Sequence, residues 1–216
     1  MNHESLTACL LGGALGDSIG LPYEGLQAKR IQRLLKGPLR QGLILGSGMF
    51  SDDTEHAAAT ILSLMKSGTD PAIFTRDLAR RLRWWFAGIP AGIGLATARS
   101  IVRLWCGISP SKSGVWSAGN GPLMRAPSIG VFYSQHAEER AVFVTASTKI
   151  THSDPLATEC ALMVAEAASF ACDGEGSILD LLDALSVSNE MKSRLGVVRS
   201  SLNTAEDVDV FADRIG

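Results

Sequence analysis

Along most of the chain, apolar residues return at three- and four-residue intervals, the period of an α-helix that buries one face. From Asp52 to Lys66 this spacing is carried by Ala57, Ala58, Ile61, Leu62 and Met65. Asp52, Asp53 and Glu55 stand where the positive end of a helix dipole favours carboxylates, and Gly68 follows as a stop. Asp70-Pro71 reads as an N-cap with proline in the first helical position, ahead of Phe74, Leu78, Leu82 and Trp85. A third helix is expected from Ile93 to Trp105, ended by Gly107, and a weaker pattern runs from His136 to Ile150. Asp154-Pro155 repeats the cap-plus-proline device before an alanine-rich run to Cys172, closed by Gly174. Ser177 to Leu185 and Thr204 to Arg214 complete the set, with Thr204 and Asp207 resembling a capping box. Val142 to Val144 is the one β-branched and aromatic cluster that competes as a strand, and it is short. With no repeat, low-complexity tract or linker, the pattern predicts one all-α domain over residues 1–216.

Composition supports a packed core: 46% of the 216 residues are hydrophobic and 19% are charged, which argues against global disorder. A net charge of −2 gives no electrostatic grip on nucleic acid or an anionic membrane. Cys9, Cys106, Cys160 and Cys172 are spread without a CxxC pair, which suits a reducing compartment better than a disulfide framework or zinc. The N-terminus has no basic segment, and Asp17 interrupts the apolar stretch from Ala8 to Leu21, against a signal peptide. No uninterrupted apolar run reaches membrane-spanning length, so the expected location is the cytoplasm.

Four polar clusters depart from the amphipathic scheme. In Gly12-Gly13-Ala14-Leu15-Gly16-Asp17-Ser18-Ile19-Gly20-Leu21-Pro22-Tyr23-Glu24, four glycines weaken a helix unless another helix or a ligand approaches closely. Asp17 there is either an internal cap or, with Glu24, the edge of an active site. Ser51-Asp52-Asp53-Thr54 offers hard oxygens suited to Mg²⁺ or Mn²⁺, yet Ser and Asp are equally the preferred N-cap and first-turn residues. Gly119-Asn120-Gly121-Pro122-Leu123-Met124-Arg125 is either an ordinary turn with a surface arginine or a nest of amides for phosphate. Arg125 in the second case pairs with phosphate or with a carboxylate of the first two clusters. In Thr151-His152-Ser153-Asp154-Pro155, helix initiation explains Asp154 and Pro155; His152 is either a structural hydrogen-bonding residue or a ligand contact. His3, His56 and His136 lack such a context, and His56 reads as decoration on the first turn of its helix.

Taken in order, GALGDSIGLPYE, SDDTEHA, GNGPLMRAPSIG and THSDP resemble the ADP-ribosylglycohydrolase family, which includes the dinitrogenase reductase-activating glycohydrolases. The resemblance spans roughly Leu11 to Cys172. It implies an orthogonal bundle of α-helices around two divalent cations, Mg²⁺ or Mn²⁺. The implied reaction is hydrolysis of a glycosidic bond between ADP-ribose and a modified protein side chain or small acceptor. Carried over by position, Ser51, Asp52 and Asp53 match the first metal-ligand triplet, with serine in place of the usual threonine. Glu24 matches an acid near the metals and the scissile bond, and Glu24 with Asp53 would serve catalysis. Asp17 matches the acidic position of the opening motif, Gly119, Asn120 and Gly121 the loop that contacts ADP-ribose, and His152 the histidine beside the ligand. The family closes on a glycine-rich Asp-Thr-Asp motif that supplies further metal ligands, and nothing after Cys172 resembles it. The resemblance therefore implies an incomplete metal site in these residues. Its alternative is a non-catalytic ADP-ribose-binding member of the same fold.

Overall fold

The helical period is realised as α1 (His3–Gly20), α2 (Ala28–Leu34), α3 (Asp52–Ser67), α4 (Pro71–Ala87) and α5 (Leu95–Trp105), followed by α6 (Ala126–Phe132), α7 (Ala137–Thr151), α8 (Pro155–Asp173), α9 (Ile178–Leu185) and α10 (Asn189–Asn203). This computed structural model describes residues 3–35, 37–44, 46–90, 92–173, 176–185, 188–207 and 210–211. Among the described residues there is no strand, only the isolated bridges Ile44–Ser47 and Val115–His152. The all-α expectation holds, and Val142 to Val144 lies inside α7.

The expected punctuation is visible in hydrogen bonds. Asp70 Oδ1 accepts from the amides of Ala72 at 2.7 Å and Ile73 at 3.1 Å, capping α4. Asp154 Oδ1 accepts from Leu156 N at 2.9 Å at the start of α8. Gly68 ends α3 at φ 56°, in the left-handed region that glycine enters without a Cβ penalty. Gly174, expected to close α8, lies outside the described residues.

One core joins the helices. Leu64 of α3, Phe74, Leu78 and Leu82 of α4, Ile101 of α5, Ile129 of α6, Phe143 and Ile150 of α7, and Ala161 and Ala165 of α8 pack together, buried. The small residues of α8 let α6 come very close. A Cβ on Gly130 would fall 2.2 Å from the Ala165 carbonyl oxygen, so only glycine fits there. By length and composition Pro155–Cys172 is apolar enough to cross a membrane. Here it is a core helix: Ala157, Ala161 and Ala165 are fully buried, and its Glu166 takes a two-pronged bond from Arg140 of α7 at 2.7 and 2.6 Å.

Asp77 of α4 is a second polar tie. Its buried carboxylate accepts from Lys66 Nζ at 2.6 Å, Arg81 Nε at 2.7 Å, Arg80 Nη2 at 3.0 Å and Ser63 Oγ at 3.2 Å. Burial alone would raise its pKa; the bonds from Lys66, Arg81 and Arg80 outweigh that and hold it well below the carboxylate range. Asp77→Asn should lower unfolding free energy by about 1–3 kcal/mol at pH 7, the scale of charge-assisted bonds, read by urea denaturation. Because the folded pKa is depressed, this contribution is present above the unfolded pKa of about 3.9 and fades as pH falls below it. The gap between wild type and variant should therefore narrow in acid.

Two sequence expectations fail. Thr204 does not open a helix: it follows α10, and its Oγ1 donates back to the carbonyls of Ser200 at 3.0 Å and Ser201 at 3.2 Å. Of the expected helix to Arg214, residues 208–209 and 212–216 lie outside the described residues. No other helix approaches Gly12, Gly13, Gly16 or Gly20 closely, since among the described residues a Cβ at any of them would meet nothing within 4 Å. Gly16 and Gly20 border a cavity together with Asp17 and Glu24.

Candidate functional site

The start of α3 is capped from a distance. Ser51 stands at the N-cap but makes no cap bond with its own side chain. Asp17, near the end of α1, does so instead: its carboxylate accepts from Ser51 N at 2.7 Å, Ser51 Oγ at 2.8 Å, Thr54 N at 3.2 Å and Thr54 Oγ1 at 2.6 Å. Two otherwise orphaned amides are satisfied, and a negative charge sits at the helix N-terminus. Asp17 thus fixes where Asp52 and Asp53 point. Beyond α1, a short 3-10 turn over Leu21–Tyr23 delivers Glu24 to the same place.

The glycine-rich loop is anchored to the end of α7. Gly114 N donates to Lys149 O at 3.1 Å, Val115 N to Thr151 O at 3.2 Å, and Ser153 N to Val115 O at 2.9 Å. Of the two glycines flanking Asn120, Gly121 is required by the His152 ring, and Gly119 leaves little room against it. A Cβ on Gly121 would lie 2.8 Å from His152 Cε1 and 3.1 Å from Thr97 Oγ1, and one on Gly119 would lie 3.3 Å from His152 Nε2. Asn120 between them is exposed.

These four stretches line two adjoining cavities. One, of about 330 Å³, has Glu24, Asp52, Asp53, Asn120 and His152 on its walls, with Gly119 and Gly121. The other, of about 390 Å³, shares Glu24, Asp53 and Asn120 with it and adds Asp17 and Ser51. All nine residues singled out in the sequence therefore border one compound cleft. The Ser51-Asp52-Asp53 triplet is divided by its helical geometry: Ser51 opens on one cavity, Asp52 on the other, Asp53 on both. Gly92 (φ 78°) brings backbone against the acids; a Cβ there would be 3.5 Å from Asp52 Oδ1 and 3.8 Å from Glu24 Oε2.

Electrostatics sets the acids apart. Burial first, then the charges of Asp53 and Glu24, push the Asp52 pKa up to about 6. Asp53 is raised by burial and by Asp17. His152 moves the other way, down to about 4, through burial and the charge of Arg125. At neutral pH the cleft thus presents an acid that holds a proton part of the time and a neutral imidazole.

Two residues were misread in the sequence. Arg125 is neither on the surface nor paired with a phosphate or a carboxylate of the first two clusters: it is 0% exposed and bonds Ser147, Thr151 and His56. His56 is not surface decoration; it is fully buried, with its ring edge-on to Trp85 at 4.3 Å between centroids. No local signal marks either one, because their partnership spans 69 residues of sequence.

The fold and cleft define an all-helical protein with an acid-lined polar site assembled at helix termini. The ADP-ribosylglycohydrolase profile matches residues 2–215, and the chain belongs to that family. It is 33% identical over 190 residues to an uncharacterized protein of Archaeoglobus fulgidus, covering 84% of this chain and 58% of that one. It is 27% identical to the ADP-ribosyl-[dinitrogen reductase] glycohydrolase of Rhodospirillum rubrum, over 81% of this chain and 60% of the relative. With ADP-ribosylhydrolase ARH3 of Gallus gallus it shares 28% identity, over 82% and 53%. A solved structure described as an ADP-ribosylglycohydrolase-related protein complex superposes with a TM-score of 0.63 at 26% identity, over 84% of this chain and 60% of that one. The chain thus spans little more than half the length of these relatives.

Proposed function

We propose that the cleft binds ADP-ribose and forms the acid-bearing part of a metal-dependent site for hydrolysing its glycosidic bond to a protein side chain or small acceptor. The observation that carries this reading is the convergence of Glu24, Asp52, Asp53, Asn120 and His152 on one cavity from four distant stretches of sequence. Two relatives named as hydrolases of ADP-ribosyl groups support the substrate class.

Cleaving a glycosidic bond develops positive charge at the anomeric carbon and needs a proton for the leaving group and a base for water. Glu24 and Asp53, both on the cavity wall, supply negative charge for that centre and a carboxylate to accept the proton of an attacking water. Asp52, with its pKa near 6, is able to hold or release a proton near neutrality. Asn120 offers an amide to the ligand from the mouth shared by both cavities.

The donor set suits a hard cation in chemistry and falls short in number. Asp52 and Asp53 are carboxylates whose pKa values are raised in part by other carboxylates nearby, an excess of negative charge that a divalent ion would relieve. Yet among the described residues no three His, Cys, Asp or Glu side chains are grouped to hold a metal ion. Ser51, Asp52 and Asp53 are the residues that would hold Mg²⁺ or Mn²⁺, which when bound supplies Lewis-acid activation of water and a grip on ribose hydroxyls. That shortfall favours a second reading, an ADP-ribose binder without turnover.

Release of ADP-ribose from an ADP-ribosylated protein, with Mg²⁺ and Mn²⁺ compared, separates the two readings; calorimetry with ADP-ribose tests both. Asn120→Ala should weaken ADP-ribose binding by about 1–3 kcal/mol, the cost of losing a desolvated hydrogen-bond partner. Unchanged affinity would remove Asn120 from the site.

A further inference from the structure

Arg125 has an unusual environment for a guanidinium. It is 0% exposed, and its partners are neutral: Ser147 Oγ at 2.9 Å, Ser147 O at 3.3 Å, Thr151 Oγ1 at 2.7 Å and His56 Nδ1 at 3.2 Å. A buried cation without a carboxylate is costly, and burial pushes its pKa down to about 10, which still leaves it charged at neutral pH. The position of Thr151 says what the charge does. Its hydroxyl also lies 2.9 Å from His152 Nδ1, so Thr151 stands between guanidinium and imidazole.

Proton counting fixes the direction of this chain. A guanidinium nitrogen only donates, so Thr151 Oγ1 accepts from Arg125 Nη2. Among the described residues the remaining partner of that hydroxyl is His152 Nδ1. Were Nδ1 to carry a hydrogen, the Thr151 hydrogen would be left without an acceptor in a fully buried position, at the cost of a buried unmade bond. The arrangement that satisfies every group is Arg125 Nη2–H to Thr151 Oγ1, and Thr151 O–H to His152 Nδ1. The imidazole hydrogen then resides on Nε2, the atom facing the glycine loop beside Asn120. His56 Nδ1 faces Arg125 Nη1 and must likewise accept, which puts the hydrogen on Nε2, buried with no hydrogen-bond partner among the described residues.

We infer that Arg125 is a positioning residue which, through the Thr151 hydroxyl, holds His152 as the neutral tautomer with Nε2–H directed into the cleft. His152 is therefore a hydrogen-bond donor to an oxygen of the bound ligand and not a general base, because the nitrogen it presents already carries its proton. The Arg125 charge adds to this by opposing formation of imidazolium at His152. That the accepting oxygen belongs to ADP-ribose rests on the function proposed above; the tautomer rests on the protein's own bonds.

Long-range ¹H–¹⁵N correlation spectra of the histidine-labelled chain at pH 7, without ligand, test the tautomer directly. The chain has four histidines, and His152→Gln identifies the relevant signals by their loss. The wild type should show the Nε2–H pattern at His152. Thr151→Val, which keeps the shape and removes the hydroxyl, should shift His152 toward a tautomer mixture, and Thr151→Ser should restore the wild-type pattern. An Nδ1–H or imidazolium pattern in the wild type, or an unchanged pattern in Thr151→Val, overturns the inference. Calorimetry with ADP-ribose on the same proteins should show about a five- to tenfold loss for Thr151→Val and recovery in Thr151→Ser. If the tautomer moves as stated while ADP-ribose affinity stays constant, the relay stands and the ligand assignment falls.

Discussion

Arg125→Ala should destabilise the protein by about 3–5 kcal/mol, while Arg125→Met should cost less than about 2 kcal/mol. Two effects compete at this position. The guanidinium makes bonds with Ser147, Thr151 and His56, and losing a partner can strand a buried polar group. Against that, its own desolvation is a standing cost that no carboxylate among the described residues offsets by contact. The neighbours decide the balance. Ser147 lies in α7, so its hydroxyl can turn to the Phe143 carbonyl four residues back, while the Thr151 hydroxyl keeps the His152 Nδ1 that it already faces. With both satisfied, what remains is volume. Alanine leaves a cavity among fully buried side chains, and methionine fills most of it. Chemical denaturation of both variants reads the difference. Equal and large losses would show that the hydrogen bonds, and not the volume, carry the stability at Arg125.

The same neighbourhood shows where sequence reading stops. Local devices were legible: Asp70-Pro71 and Asp154-Pro155 open α4 and α8 as expected, because a cap and its amides lie within three residues. The Ser51–Thr54 motif was legible as a helix start but not as to its cap, since Asp17 reaches it across 34 residues or more. Helix α6 carries no helical signal in the sequence, because Pro127 and Gly130 are the two weakest helix formers. Pro127 is tolerated in the first turn, and Gly130 is imposed by contact with α8, a demand visible only once the two helices meet. Helix α10 was overlooked for the reverse reason: its apolar residues are sparse, and its start rests on Ser188 Oγ accepting from Met191 N at 3.1 Å. For the cleft, the residue types and their order were enough to nominate nine positions. What they left out was the buried layer behind them, where His56, Arg125 and Thr151 act on one another through side chains that no periodicity reveals.

The metal ion proposed above would be held by the row of acids in front of that layer. This chain should bind Mg²⁺ or Mn²⁺ weakly and at one site at most, and Asp52→Asn should abolish that binding. A hard divalent ion needs about six oxygen ligands, some of them waters. Asp52 and Asp53 supply two carboxylates; Ser51 adds a hydroxyl on the far side of the division between the two cavities, and Glu24 stands near Asp52 across Gly92. Water must fill the rest, which gives low affinity. Replacing Asp52 by asparagine keeps the shape and removes one of the few charges, while Asp17 still caps α3 through Ser51 and Thr54, so the fold should persist. Circular dichroism checks the fold, and calorimetry with Mn²⁺ checks the ion. The relatives extend well beyond the stretch that this chain covers, and a chain extended to their length should bind two ions and release ADP-ribose from a modified protein. There Asp52→Asn should bring turnover to background. Two tightly held ions in the present chain, or full turnover in the extended Asp52→Asn variant, would show that the acids at the start of α3 do not hold the metal.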